Sequence, residues 1–253
     1  MAYYSGRRVR LVTIAAGVLG VFALTQGALA QDISVNFGQN GTGLTERVIQ
    51  LIALLTVLSL APSILIMMTS FTRIVVVLSL LRTALGTATA PPNAVIVSLA
   101  LFLTAFVMGP ALQRSYEVGI KPLIANEITA EQAFERSSGP LRTFMQKNVR
   151  EKDLKLFVDM SAQPIPEKPE DLSLRILVPA FMISELKRAF EIGFLLFLPF
   201  LIIDLVVASV LMSMGMMMLP PVVVSLPFKL IFFVLVDGWS LVAGSLVQSY
   251  GGG

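Results

Sequence analysis

The chain has 253 residues, of which 55% are hydrophobic and only 14% charged, against about a quarter charged in soluble domains; this balance places it in a membrane. It has no cysteine and no histidine, which excludes disulfides, thiolate metal sites, cysteine nucleophiles and histidine general bases; no enzyme, metal or cofactor is expected. Arg7, Arg8 and Arg10 carry the whole net charge of +3, the other basic and acidic side chains cancelling, so nucleic acid is not an expected partner.

Residues 1–30 read as a secretory signal peptide, with a basic region to Arg10, an apolar region over 11–24 and a small-x-small site at Ala28-Leu29-Ala30. An uncleaved anchor is the competing reading, but the apolar region is short for a span. Processing after Ala30 puts the start of the mature chain, Gln31, on the far side of the membrane. The segment 31–113 then holds a polar, Gly-rich start and a first helical hairpin, with apolar runs over 48–68 and 94–112. Between those runs, 69–93 contains Arg73 and Arg82 and no acid. Basic residues in short loops favour the cytoplasm, the side on which the turn of this hairpin falls in any case.

The polar stretch 114–178 is expected to be a small helical insert on the periplasmic side. Thr129-Ala130-Glu131-Gln132 has the form of a capping box, and Ser138-Gly139-Pro140 is expected to end the helix that it opens. Leu141, Phe144, Met145 and Val149, then Leu154, Phe157 and Val158, follow helical spacing and mark one apolar face. Pro164, Pro166 and Pro169 read as a stiff link back to the membrane.

The second hairpin, 179–250, is the stretch around which the chain is organised, and 251–253 form a short tail. Its apolar runs, 190–212 and 222–246, flank Met212, Met214, Met216, Met217 and Met218, which precede Pro220-Pro221. Proline removes a backbone donor and clashes with the preceding helical turn, so the pair is expected to stop the long helix. Asp204 is costly inside such a run and needs a partner or a cavity. With a turn near Met218, Asp204 falls about 21 Å down one helix and Lys229 about 16 Å down the other. That offset is within a lysine's reach, so the two form a candidate buried pair, inside one subunit or between two; independent snorkelling is the plain alternative. Glu185, Lys187, Arg188 and Glu191 stand at (i, i+3) and (i, i+4) spacing, as a solvated helical turn or as a subunit contact. The fold expected is all-α: four long hydrophobic helices in two hairpins, with the insert between them. Four spans enclose little on their own, so further copies of the chain are expected partners.

Four segments carry a resemblance. PAFMISELKRAFEIGF (179–194), PFLIIDLVVASVLMSMGMMMLPP (199–221), SFTRIVVVLSLLRTALGTATAPPN (70–93) and LPFKLIFFVLVDGWSLVAGSL (226–246) closely resemble the FliP family of flagellar type III export-gate proteins. Injectisome export-gate subunits share the architecture, but TAPPN and VDGW look more like the flagellar branch. The resemblance implies a gate in the bacterial inner membrane at the flagellar basal body. There, several copies with FliQ-like and FliR-like subunits surround a pore for unfolded flagellar proteins. It implies also that the Met cluster is a pore gasket, since flexible thioethers fit many passing side chains. Burial of the tip in a neighbour or in lipid is the plainer reading of the same residues. A small-solute or ion channel or transporter subunit is the alternative function, although such proteins usually show more spans or visible repeats. A passive scaffold would need no soft turn.

Overall fold

A computed structural model describes residues 41–87, 89–161, 172–216 and 218–251. The expected signal peptide, Pro164, Pro166, Pro169 and Met217 lie outside those residues. Two compact units are present, Met1–Thr56 and Val57–Gly253. Helix α1 is Gly41–Met67, with an apolar stretch at Leu51–Leu60. The helices that follow are α2 (Phe71–Ala84), α3 (Asn93–Ser115), α4 (Lys121–Ile124), α5 (Ala130–Asn148) and α6 (Glu151–Ser161). A π-helical turn, Tyr116–Ile120, joins α3 to α4 without a break. Then come α7 (Leu174–Ser213), α8 (Pro221–Leu235) and α9 (Gly238–Gly251). No strand occurs among the described residues.

Helix α2 replaces most of the expected cytoplasmic loop 69–93. Its apolar residues Ile74, Val77, Leu78 and Leu81 recur at one-turn spacing, and all four are buried. They form the centre of the main core together with Ala100 of α3, Phe200 of α7, Phe233 of α8 and Leu246 of α9. The remaining connection is short: Gly86 takes a left-handed φ of 78°, and Arg82 bonds the Pro91 carbonyl and the Asn93 side chain at the start of α3.

The insert has its expected opening. Gln132 N–H donates to the Thr129 hydroxyl and Thr129 N–H to the Gln132 side chain, each at 3.3 Å, so the capping box is complete. The expected stop at Ser138-Gly139-Pro140 does not occur, and α5 runs through Pro140 to Asn148. In the turns around the proline, the Ser138 and Thr143 hydroxyls donate to the Glu135 and Gly139 carbonyls at 2.8 and 3.1 Å, and Leu141 and Met145 anchor the helix beyond it. The apolar face read from 141–158 does come together: all seven residues join a second core with Met68, Met108, Ile176, Leu177 and Phe181. Phe144 touches both cores, its ring 5.9 Å edge-on from Phe181 and 5.8 Å in a stack with Tyr250.

Among the described residues, two helical stretches are long and apolar enough to cross a membrane, Asn93–Ile124 and Leu174–Ser213. A third is present if α8 and α9, bent by 63° against each other, count as one broken span. Helix α7 begins 16 residues before the expected start at 190 and passes through Pro179 and Pro199. Its 40 residues measure about 60 Å, twice the ~30 Å of a bilayer core. Only part of α7 therefore fits inside the hydrocarbon, and its charged turn at 185–191 lies more than 20 residues from its apolar end.

Candidate functional site

The methionine tip is built by the way α7 stops. Met214 caps the helix and Gly215 takes a left-handed φ of 72°. Gly215 N–H donates to the Met212 carbonyl at 3.1 Å and Met216 N–H to the Leu211 carbonyl at 3.0 Å, the pair of bonds of a Schellman ending. Glycine, not Pro220-Pro221, ends the long helix. The prolines instead open α8, with Pro220 as its N-cap and Pro221 in its first turn, where a missing N–H is no loss. Met212, Met214 and Met216 are exposed and Met218 is 98% exposed. They form an apolar knob at the end of a 40-residue helix, with no cover among the described residues.

Below the tip, Asp204 and Lys229 meet within one chain, Nζ to Oδ2 at 2.6 Å. Lys229 is 3% exposed and also donates to the Ala84 carbonyl at the end of α2, at 3.3 Å. The Ser225 hydroxyl donates to the other carboxylate oxygen of Asp204. One cluster thus ties α7, α8 and the C-terminus of α2 together, a point where the cation also faces the negative end of a helix dipole.

A second cluster lies deeper. Arg73, in α2, is 1% exposed and Glu185, in α7, is fully buried. Arg73 Nε donates to Glu185 Oε2 at 2.9 Å, and Nη2 reaches Oε1 to complete a two-pronged pair. Arg73 Nη1 donates to the Ser249 hydroxyl at 3.0 Å, and its guanidinium lies 3.8 Å over the Tyr250 ring. The Tyr250 hydroxyl donates to Glu185. This corrects two sequence readings. Arg73 is not a loop cation and gives no evidence of membrane side. Glu185 is not available for a subunit contact, because α2 and α9 enclose it. Of the other candidate contacts, Lys187 and Glu191 are exposed and pair at 3.6 Å along α7, and Arg188 is half-buried.

A third cluster joins the insert to α7. The Arg150 guanidinium donates to both Asp153 oxygens at 2.8 and 2.9 Å, and the Ser184 hydroxyl donates to Asp153 at 2.6 Å. Burial alone would raise the Asp153 pKa; the Ser184 bond, Arg150 and then the Lys187 charge outweigh it and hold the carboxyl below its ordinary value. A lowered folded pKa means that stability is present above the unfolded value and is lost as pH falls through the folded one. Acidification below pH ~4 should therefore lower amide protection around 150–154, relative to the intrinsic exchange rate at each pH, and Asp153→Asn should give that lower protection at neutral pH. A neutral-pH exchange pattern identical to wild type would remove any role for the charge.

Tyr250, Ser225 and the Asp153–Ser184 bond are not singled out by the sequence, which offers Arg73 only as a loop cation. The signal for Arg73 was available, since it sits in a run whose apolar residues recur at helical spacing. Tyr250 lies near the end of the chain and carried no pattern. Among the described residues, no group of carboxylates is placed to hold a metal ion.

Comparison with known proteins gives one consistent result. A family model described as the FliP family matches residues 54–246. The flagellar biosynthetic protein FliP of Caulobacter vibrioides is 62% identical over 240 residues, covering 95% of this chain and 88% of that protein. The protein of the same description from Bacillus subtilis is 55% identical over 202 residues, covering 80% of this chain and 91% of its own length. That from Pectobacterium carotovorum is 54% identical over 230 residues, with 91% and 87% covered.

Proposed function

The chain belongs to the FliP family, and from that premise we propose that it is a core subunit of the flagellar type III protein export gate. Several copies, with FliQ-like and FliR-like subunits, surround a pore through which unfolded flagellar proteins leave. The observation that carries this reading is the methionine tip: Met212, Met214, Met216 and Met218 stand exposed on a turn fixed by Gly215. A knob of flexible apolar side chains without a cover among the described residues is suited to a seal made jointly with other copies. Hydrophobic constrictions stop ions by dewetting, and thioethers deform around a passing chain.

In this reading the chain sits in the bacterial inner membrane at the basal body. α7 with α8–α9 forms the second hairpin; the tip lies toward the cytoplasm, and the insert and C-terminus toward the periplasm. Support comes from the length of α7, whose charged turn near Glu185 and Glu191 belongs with the insert, outside the hydrocarbon. Because Lys229 and Asp204 satisfy each other inside one chain, a heterologous contact between copies has to use other groups, and Lys187, Arg188 and Glu191 are the candidates.

The test is export itself. Deleting the gene should abolish release of rod, hook and filament proteins, and a plasmid copy should restore it. The tagged chain should bring down FliQ-like and FliR-like subunits from membranes. Normal release of filament protein by the deletion strain would end the export-gate reading, and a deficit in solute or ion movement alone would favour a channel or transporter subunit.

A further inference from the structure

Segments 69–113 and 192–253 hold most of the apolar chain and contain five charged side chains: Arg73, Arg82, Asp204, Lys229 and Asp237. Arg73 is paired with Glu185, and Asp204 with Lys229. Arg82 and Asp237 are left. They are of opposite sign, and neither has an ionic partner among the described residues.

Arg82 is half-buried near the end of α2 and meets only neutral acceptors, the Pro91 carbonyl and the Asn93 side chain. Both bonds leave from Nη1. The Nε–Nη2 edge is therefore unused, and with that edge a guanidinium grips a carboxylate in two-pronged fashion, as Arg73 grips Glu185.

Asp237 lies at the break between α8 and α9, with a left-handed φ of 50°. Close packing holds the break in place: a Cβ on Gly238 would fall 2.1 Å from the Phe233 ring, and Trp239 meets the same ring edge-on at 5.3 Å. Asp237 is left exposed, with Val234 and Leu235, 75% and 79% exposed, just before it. An acid in an apolar span faces a partner or a water-filled cavity rather than lipid, and irregular backbone at membrane depth needs the same cover. The large apolar side chains beside it favour protein over water.

The depths of the two charges match. α2 runs parallel to α7, since Arg73 meets Glu185 and Ala84 shares Lys229 with Asp204. Arg82 lies about 3 Å from the level of Ala84, and Asp237 about 12 Å from that of Lys229, both away from the methionine tip. They differ in depth by about 9 Å, most of which an extended arginine covers.

We propose that Arg82 of one copy grips Asp237 of a second copy, a contact within the membrane that fixes the register between neighbours; it presupposes the assembly of several copies proposed above. The occupant is a second copy because the chain itself carries the missing charge of each sign. Each added copy satisfies one charge on its neighbour and offers the other to the next, as a heterologous contact requires.

The experiment co-expresses two differently tagged full-length chains, one of which carries photoreactive benzoyl-phenylalanine in place of Leu235. Irradiated membranes are expected to yield an adduct bearing both tags, mapped to 78–93 of the other chain. Asp237→Asn in the photoreactive chain should lower that yield several-fold, and Asp237→Glu should keep most of it. Adducts confined to the chain's own residues, to lipid, to a different subunit or to other segments would overturn the proposal, as would a yield unchanged by Asp237→Asn. Co-purification of the tags separates this from the export-gate reading. Tags that co-purify without the adduct overturn the pair alone, and tags that do not co-purify overturn the assembly as well. If Asp237→Asn fails to fold, the position of the adduct in the chain with Asp237 intact decides.

Discussion

Arg73→Ala should be among the most damaging single changes in this chain, lowering the midpoint of thermal unfolding by on the order of 10 °C. Breaking a buried ion pair from one side costs about 3–5 kcal/mol, because the surviving charge stays buried without its partner. In the variant, Glu185 would remain fully enclosed with only the Tyr250 hydroxyl to answer it. The Ser249 hydroxyl and the face of the Tyr250 ring would lose their cation at the same time, so α9 should loosen from α2. Arg73→Lys should fail nearly as badly, since a point charge cannot make the two-pronged pair and still reach Ser249. Replacing both members by apolar residues, Arg73→Met with Glu185→Leu, should recover much of the loss, because no charge is then left buried. The measurement is thermal unfolding of detergent-extracted protein followed by size exclusion. Wild-type stability of Arg73→Ala would show that the pair adds nothing.

At the Asp204–Lys229 cluster the two single variants should differ, and the direction follows from exposure. Asp204→Ala leaves Lys229, 3% exposed, with only the Ala84 carbonyl at 3.3 Å. Lys229→Ala leaves Asp204 with Ser225 and with access to water, since its side chain is 27% exposed. Asp204→Ala should therefore be the more harmful, approaching the ~3–5 kcal/mol of a one-sided break, and Lys229→Ala milder. A swap of the two charges should restore only part of the loss, because a carboxylate at 229 would face the Ala84 carbonyl. Both effects should appear as less folded chain in membranes and reduced motility. Equal behaviour of the two single variants would mean that the cluster is not organised around a buried lysine.

What the sequence disclosed was mostly local or strictly periodic. The Thr129 capping box, the apolar face over 141–158 and the meeting of Asp204 with Lys229 all depend on spacing along one or two helices. Reading failed where tertiary packing outweighs a local signal. Pro140 looks like a break, yet its helix continues because its apolar face beyond the proline is held by the second core. Pro220-Pro221 looks like the stop of α7, but Gly215 had already turned the chain, and the stronger-looking residue only opens the next helix. The largest difference came from Arg73. Two arginines without an acid resemble a cytoplasmic loop as long as the partner is sought nearby, and Glu185 lies 112 residues away. A charge between isoleucines and valines at helical spacing is better read as half of a buried pair whose other half is on another helix.

The seal is the most direct place to test the proposed gate. Met216, Met217 and Met218 changed together to Ala remove flexible apolar volume while leaving Gly215, Pro220 and all three charge clusters in place, so folding and assembly should be preserved. Stiffer Phe at the same positions should instead slow export. The deciding measurement is membrane conductance in cells expressing the assembled triple Ala gate, with the amount of complex determined in parallel. Normal amounts of complex together with a clear ion leak are the expected result. Normal amounts with membranes as tight as wild type would contradict it, leaving the methionine turn as packing and placing the seal elsewhere.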